Sequence, residues 1–396
     1  MELSGKTVLL GLTGGIACYK AAEFARAMIR EGATVHAVMT ESAQQFITPL
    51  TLQALTGNPV FTSSWDNRQR NNMPHIDLPR KVDVIAIAPC TANFIAKLAN
   101  GICDDLLSTL CQARPATVPL LVAPAMNVEM WEKPATQRNI RQIQEDGVGI
   151  MGPASGFQAC GEVGKGRMLE PAELVEEVIA ALQPKTMSGR RFLITAGPTF
   201  EPIDPVRGIT NRSSGKMGYA IARAAWLAGA EVTLVSGPTA LPVPYGVKRI
   251  DVISAREMFE VVTGNLEGKD VFISVAAVAD WRVKQASVQK IKKVAGQAVP
   301  ALEFVENPDI LASVAKLPDA PYCVGFAAES ENLREYAEAK RRKKGIPLLV
   351  GNIGHETFGK DDNTLILFDD AGALELPHDT KRNLARKLIE QLASRL

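Results

Sequence analysis

The chain has 396 residues, more than one compact domain usually holds, and at roughly 100 to 200 residues per domain this points to two. Its 46% apolar and 22% charged residues, with 31 Gly and 24 Pro, exclude wholesale disorder and collagen-like repeats. Lys and Arg number 44 against 43 Asp and Glu, and a net charge of +1 excludes the basic excess of a nucleic-acid binder, so any anion site must be small and local.

In chain order, Ser4-Gly5-Lys6 leads into an apolar run from Thr7 to Leu10, a Gly14-Gly15 turn, a helical pattern ending at Arg30, Gly32-Ala33, and a second run ending at Thr40. Val82 to Ala88 and Val118 to Ala123 are near-continuous apolar runs, the pattern of parallel strands covered on both faces. Each ends in a proline turn, Ala88-Pro89-Cys90-Thr91 and Ala123-Pro124-Ala125-Met126-Asn127. A glycine-rich stretch from Gly156 to Met168 then carries Cys160 in what reads as a flap-like loop. Leu174 to Leu182 reads as a closing helix and Gln183 to Met187 as a connector.

After the connector the opening recurs. Ser188-Gly189-Arg190 precedes Phe192 to Ala196, a long turn, a helical pattern from Gly218 to Leu227, Gly229-Ala230, and Val232 to Ser236. Val271 to Val275, Tyr322 to Phe326 and Leu348 to Val350 supply further strands, and the apolar-poor stretch from Arg282 to Pro300 reads as a mobile loop. The expected fold is α/β: two doubly wound Rossmann-like domains, residues 1–187 and 188–396. In such sheets ligands bind beyond the carboxyl ends of the strands, so Gly14-Gly15 and the two proline turns should border one crevice.

No apolar run approaches the roughly 18 residues that cross a bilayer, and the six cysteines show no CxxC spacing. A cytoplasmic protein with reduced thiols and no membrane or nucleic-acid partner is expected. Gly11-Leu12-Thr13-Gly14-Gly15 is not the GxGxxG fingerprint, and Gly215-Lys216-Met217 lacks the rest of a Walker A loop, so standard NAD binding and P-loop chemistry are both disfavoured. Read plainly, Asn127 is a turn former or helix cap, Met130 is core, and Lys340-Arg341-Arg342-Lys343-Lys344 is a solvated helix end before a Gly345 stop. Cys160, in a flap, is open to either a structural or a chemical role.

The motifs decide further. GGIACYK, PHIDL, APCTANFIAK, PAMNVEMW and GFQACGEVGKGRM resemble the flavin-dependent phosphopantothenoylcysteine decarboxylases. AGPTFEPIDPVRGITNRSSGKMG, AAVADW, QKIKK, ENPDIL, GFAAES and the AKRRKK run resemble phosphopantothenate-cysteine ligase. In this order, over essentially all 396 residues, the chain resembles the bifunctional bacterial enzymes of coenzyme A biosynthesis. The first domain would then be a flavodoxin-like FMN-binding flavoprotein and the second a nucleotide-binding ligase domain.

The resemblance implies that FMN oxidises the substrate's CH2-SH to a thioaldehyde, so that the carboxylate can leave into an ene-thiolate. It implies His75 as the base of the oxidative step, Asn127 with Met130 as substrate-binding, and Cys160 as the proton donor when the ene-thiolate is reduced. FMN contacts would come from Gly15, Ile16, Thr40, Ser42, Phe46, Thr91, Ala92, Asn93 and Ala125. In the ligase half it implies CTP, an acyl-cytidylate, pyrophosphate release and attack by cysteine. Nucleotide contacts would come from Val275, Ala276, Ala277, Asp280, Lys290, Pro308, Asp309, Ile310, Leu311, Phe326, Lys340 and Lys344, with Asn211 on the acyl-cytidylate and Arg207 assisting. Lys340 and Lys344 share a helical face and Lys290 sits in the presumed loop, while Lys292, Lys293 and the residues between Lys340 and Lys344 remain surface charges. Magnesium would arrive with the triphosphate, with Asp280 as an indirect partner. A homo-oligomer, a dodecamer, is likewise implied. Two rivals remain at this point: a flavoprotein oxidoreductase with a pyridine-nucleotide domain, and a flavin-binding scaffold without catalysis.

Overall fold

The computed structural model describes residues 1–65, 73–292, 301–329, 333–353 and 359–396. Two compact units divide the chain, Met1–Gln183 and Pro184–Leu396. The break falls at the start of the connector rather than after Met187, because Met187 is buried in the second unit's core and its amide bonds the Ala228 carbonyl.

In the first unit the strands are β1 (Thr7–Leu12), β2 (Thr34–Met39), β3 (Val60–Phe61), β4 (Val84–Cys90), β5 (Leu120–Pro124) and β6 (Gly149–Ile150), with a hairpin of β7 (Ala154–Phe157) and β8 (Val163–Arg167). The helices are α1 (Cys18–Arg30), α2 (Pro49–Thr56), α3 (Pro74–Arg80), α4 (Ala92–Asn100), α5 (Leu106–Ala113), α6 (Val128–Glu132), α7 (Pro134–Glu145) and α8 (Pro171–Leu182). The six-stranded sheet runs β3-β2-β1-β4-β5-β6, all parallel, so the order reverses between β1 and β4. Every residue of β4 and β5 is buried, as strands covered by helices on both faces require.

The second unit adds β9 (Arg191–Ala196), β10 (Phe200–Pro202), β11 (Gly208–Thr210), β12 (Glu231–Ser236), β13 (Lys248–Asp251), β14 (Val271–Ser274), β15 (Trp281–Val283), β16 (Phe304–Glu306), β17 (Tyr322–Glu329), β18 (Leu348–Ile353), β19 (Asp362–Asp369) and β20 (Gly372–Thr380). Its helices are α9 (Lys216–Leu227), α10 (Ala255–Gly264), α11 (Ile310–Ala315), α12 (Leu333–Lys344) and α13 (Lys381–Ala393). The main sheet is β13-β12-β9-β14-β17-β18-β19-β20, parallel through β18, with β19 and β20 antiparallel at one edge. The strand order again reverses beside the first strand, here between β9 and β14.

Three differences from the sequence reading stand out. The presumed flap is a β-hairpin. The presumed mobile loop begins as a strand, β15, paired antiparallel with β16, and its following residues are pinned by Ser287 N–H to the Ile203 carbonyl; Lys293 to Pro300 lie outside the described residues. The antiparallel edge and α13 are additional, and α13 buries Leu384, Leu388 and Leu392 against the core. No helix among the described residues is long and apolar enough to cross a membrane.

Candidate functional site

In the first unit the carboxyl ends of β1, β2, β4 and β5 converge through side-chain and turn bonds. Buried Thr13 donates its hydroxyl to the Pro89 carbonyl and accepts the Thr91 amide, both at 2.9 Å, tying the glycine turn to the turn after β4. The Ala125 amide bonds the Cys90 carbonyl at 3.0 Å, which draws in the turn after β5. A Cβ on Gly14 would lie 2.4 Å from that of Ser42, so only glycine lets the segment after β2 close on this turn. Gly15, Thr40, Thr91, Ala92 and Ala125 are half-buried around these strand ends, and Ser42, Asn93, Ile16 and Phe46 are exposed. Thr91 caps α4 through the Phe94 amide, and Thr40 accepts the Ala43 amide. Turn amides, hydroxyls and two exposed apolar side chains are the donor set that suits a phosphate-bearing aromatic group.

The β7–β8 hairpin docks on the turn after β5. Gln158, 6% exposed, accepts the Val128 amide at 2.9 Å and donates to the Lys165 carbonyl at 3.1 Å. A Cβ on Gly166 would meet the Met126 carbonyl oxygen at 2.3 Å, so glycine there allows the hairpin to lie on that turn. The result joins residues far apart in sequence. Asn127 caps α6 by accepting the Met130 amide at 3.0 Å, and its Nδ2 donates to Glu162 Oε2 at 3.1 Å. Cys160 Sγ donates to the same Oε2 at 3.4 Å. Met130 follows on α6 with its side chain 47% exposed, not in the core. His75 stands half-buried in the first turn of α3, which packs on α5, and it makes no hydrogen bond to this cluster.

In the second unit the carboxyl ends of β9, β14 and β17 open into a cavity of about 640 Å3. Val275, Ala276, Ala277, Asp280, Pro308, Asp309, Ile310, Leu311, Phe326, Lys340 and Lys344 all line it, as does the Gly215 turn at the start of α9. Asn211 stands behind the wall: its Nδ2 donates to the Ala277 carbonyl and its Oδ1 accepts the Ser213 amide, which fixes the turn leading into α9. Lys344 holds Asp309 with both carboxylate oxygens within 2.7 Å, while Asp309 also caps α11 through the Ala312 amide. Burial pushes the Asp309 carboxyl up, but Lys344, that amide and Lys340 outweigh it and leave it below the ordinary carboxylate value.

Lys290 and Arg207 are not among the lining residues. Lys290 is exposed, on a strap fastened to a buried carboxylate. Asp204 accepts from Arg207 Nε at 3.0 Å and from the Ile291, Val206 and Arg207 amides, and Arg207 in turn donates to the Ile291 carbonyl. The Arg207 guanidinium, aided by those amides, holds the Asp204 carboxyl far below its ordinary value.

Several lining residues escaped the sequence reading. Lys343, taken as a surface charge, lines the cavity, and Arg341, also taken as solvated, is 7% exposed and bonded to Glu338, Asp370 and the Ile346 carbonyl. Lys216 and Lys381 add two further ammonium groups; burial, then the charge of Lys216, lowers the pKa of Lys381. Asn363 comes from β19, whose apolar alternation Leu365, Leu367 was the available signal, and Lys381 opens a helix announced by Thr380 and the Leu384, Leu388, Leu392 spacing. Glu162 had no signal beyond its closeness to Cys160. Among the described residues no group of three or more His, Cys, Asp or Glu side chains converges as a metal cage.

Comparison with known proteins assigns each unit to a family. Residues 1–183 match the family model described as Flavoprotein, and residues 187–396 that described as DNA/pantothenate metabolism flavoprotein C-terminal domain. The chain is 48% identical to the Coenzyme A biosynthesis bifunctional protein CoaBC of Vibrio parahaemolyticus, covering 98% of each, and 46% identical to that of Escherichia coli, covering 100% of this chain and 98% of the relative. The Bacillus subtilis protein of the same name is 42% identical over 99% and 98%. Among solved structures, the C-terminal domain of a CoaBC protein matches at 42% identity and TM-score 0.46, over 53% of this chain and 97% of that one.

Proposed function

The chain belongs to the bifunctional CoaBC family of coenzyme A biosynthesis, and on that premise we propose how its residues divide the two reactions. The protein is a phosphopantothenoylcysteine decarboxylase and a phosphopantothenate-cysteine ligase, and its first unit is a flavoprotein that uses FMN.

The observation that carries the decarboxylase assignment is the meeting of Asn127 Nδ2 and Cys160 Sγ on one carboxylate oxygen. A group that binds carboxylate and a group that gives a proton are thereby held side by side, beside the crevice whose amides, hydroxyls and exposed Ile16 and Phe46 suit FMN. Bound there, the flavin supplies the two-electron sink that lets CO2 depart. Asn127 holds the departing carboxylate, Met130 packs beside it, His75 takes the proton of the oxidative step, and Cys160 protonates the decarboxylated carbon.

In the second unit CTP is the activating nucleotide. The Gly215 turn presents amides of the α9 N-terminus to phosphate, and Lys216, Lys340, Lys343 and Lys381 surround it with positive charge that offsets charge on the leaving pyrophosphate. Val275, Ala276, Ala277, Pro308, Ile310, Leu311 and Phe326 wall the nucleotide, and the Lys344–Asp309 pair braces that wall. Magnesium would accompany the triphosphate with Asp280 as an indirect partner, since among the described residues no group of three or more His, Cys, Asp or Glu side chains converges on one point. Asn211 keeps the α9 turn in place against Ala277, and Arg207 keeps the Lys290 strap in place. The working protein is a cytoplasmic dodecamer of this chain, for which light scattering is the direct check; exposed Ile16, Tyr19, Phe46 and Leu50 supply apolar surface to such contacts.

The test is to record the visible spectrum of the purified protein, then follow pyrophosphate with 4'-phosphopantothenate, cysteine, magnesium and either CTP or ATP. A flavin spectrum and pyrophosphate release with CTP alone is the expected result. Equal release with ATP would remove the CTP assignment, and net reduction of a pyridine nucleotide would favour an oxidoreductase.

A further inference from the structure

Asn127 has one free function. Its Oδ1 is committed to the Met130 amide as the cap of α6, so Nδ2 is what remains for a carboxylate, and Glu162 Oε2 stands on it at 3.1 Å. Nδ2 has a second N–H, but a substrate carboxylate on it would stand against the like charge of Glu162, so the carboxylate that binds Asn127 displaces Glu162. Cys160 is bound to that same Oε2 at 3.4 Å and, more loosely, to Gln158 Oε1 at 3.8 Å, so the thiol rests on Gln158 when the carboxylate leaves and is drawn back to Asn127 when it returns. The root of the hairpin does not need to move, since buried Gln158 fixes it to the start of α6. The turn beyond it is closed by the Gln158 amide on the Glu162 carbonyl at 2.8 Å and the Gly161 amide on the Gln158 carbonyl at 2.9 Å, so what is left to move is the pair of side chains, half-buried Glu162 and exposed Cys160.

We propose that Glu162 is a positioning residue that reports the loss of CO2: it yields Asn127 to the substrate carboxylate and, when CO2 has gone, returns to Asn127 and carries the Cys160 thiol to the carbon that held the carboxylate. This rests on the decarboxylase reading above. In the step so controlled, the C=C electron pair of the ene-thiolate takes the Sγ proton. The S–H bond breaks, a C–H bond forms at the decarboxylated carbon, and the ene-thiolate becomes a thioaldehyde. Cys160 is left as a thiolate that regains its proton from water; reduced FMN, held at the neighbouring strand ends, would supply the hydride that turns the thioaldehyde into the product thiolate. The arrangement orders the reaction, because the proton donor reaches the carbon only after the carboxylate has left.

The experiment is a single turnover of 4'-phosphopantothenoylcysteine on the full-length, FMN-loaded protein, with CO2 and the saturated thiol product followed separately. Wild type should release the two in step. Glu162→Gln should leave CO2 release within about twofold while slowing the product about tenfold or more, with the ene-thiol, two hydrogens lighter than product, accumulating between. Glu162→Asp, which keeps a carboxylate on a shorter arm, should fall between the two. A second readout is alkylation of Cys160 mapped by mass spectrometry: Glu162→Gln should change its rate severalfold while leaving exposed Cys103 unchanged. If CO2 and product slow together in both flavin-loaded variants, or if product keeps pace with CO2 in Glu162→Gln, the proposal is overturned. A wild-type trace without CO2 overturns the decarboxylase reading and the proposal with it, and is recognised without any variant.

Discussion

The two units run their central strands in the same order, with the reversal beside the first strand in each, yet they place opposite chemistry at that reversal. Around β1 and β4 the turns offer glycine amides, threonine hydroxyls and exposed apolar side chains, and the Cys160 thiol arrives on a hairpin. Around β9 and β14 the corresponding turns meet a ring of lysines contributed by α9, α12 and α13. On the reading proposed above, one unit is equipped to move electrons and a single proton, the other to neutralise a triphosphate. The scaffold fixes where a ligand binds, and the connections fix which ligand it is.

The comparison breaks most sharply at Asn211. An aspartate there cannot donate to the Ala277 carbonyl and faces it with negative charge beside a site for phosphates. Asn211→Asp should lower ligation about a thousandfold while CO2 release from supplied 4'-phosphopantothenoylcysteine stays at the wild-type rate. Removing one cation is milder. Lys216→Ala deletes an ammonium that also holds Asp361 at 2.7 Å, and it should raise KM for CTP about ten- to a hundredfold without touching the first unit; isothermal titration with CTP checks it.

The smallest effect is expected at Asp204. Asp204→Asn loosens the strap that carries Lys290 and should slow ligation about tenfold, with decarboxylation again unchanged. The pH dependence has a definite sign. Because the folded-state pKa of Asp204 is depressed, its stabilisation is present above the ordinary carboxylate range near pH 4 and is lost only as pH falls through the depressed value. The strap should therefore hold across the assay range, and a ligase profile that collapsed between pH 7 and pH 5 with the Asp204→Asn profile unchanged would remove the strap from the account.

Much of this was legible in the sequence, for reasons of periodicity. The buried parallel strands announce themselves as apolar runs, and the repeat of Ser-Gly-basic, strand, turn, helix, Gly-Ala, strand marks two openings. The rule that ligands gather beyond the carboxyl ends of the strands then places the Gly15, Thr91 and Ala125 turns together, and the structure joins them through Thr13 and Cys90. What was hidden depends on contacts between distant segments. Glu162 and Gln158 act only because the hairpin folds back on the Asn127 turn. Lys381 reaches the cavity only because an antiparallel edge, β19 and β20, returns the chain beside α9. Arg341 and Lys343 belong to one basic run that spacing reads as uniformly solvated, whereas packing buries the first against Glu338 and turns the second to the cavity.

The most direct test of this division of labour is one assay on the wild type, Asn211→Asp and Cys160→Ala, each given 4'-phosphopantothenate, cysteine, magnesium and CTP, or 4'-phosphopantothenoylcysteine alone. Pyrophosphate, CO2 and 4'-phosphopantetheine are followed together. The account predicts all three from the wild type; CO2 and 4'-phosphopantetheine only from the supplied intermediate for Asn211→Asp; and pyrophosphate and CO2 without 4'-phosphopantetheine for Cys160→Ala. Normal 4'-phosphopantetheine from Cys160→Ala, or normal pyrophosphate release by Asn211→Asp, would contradict it.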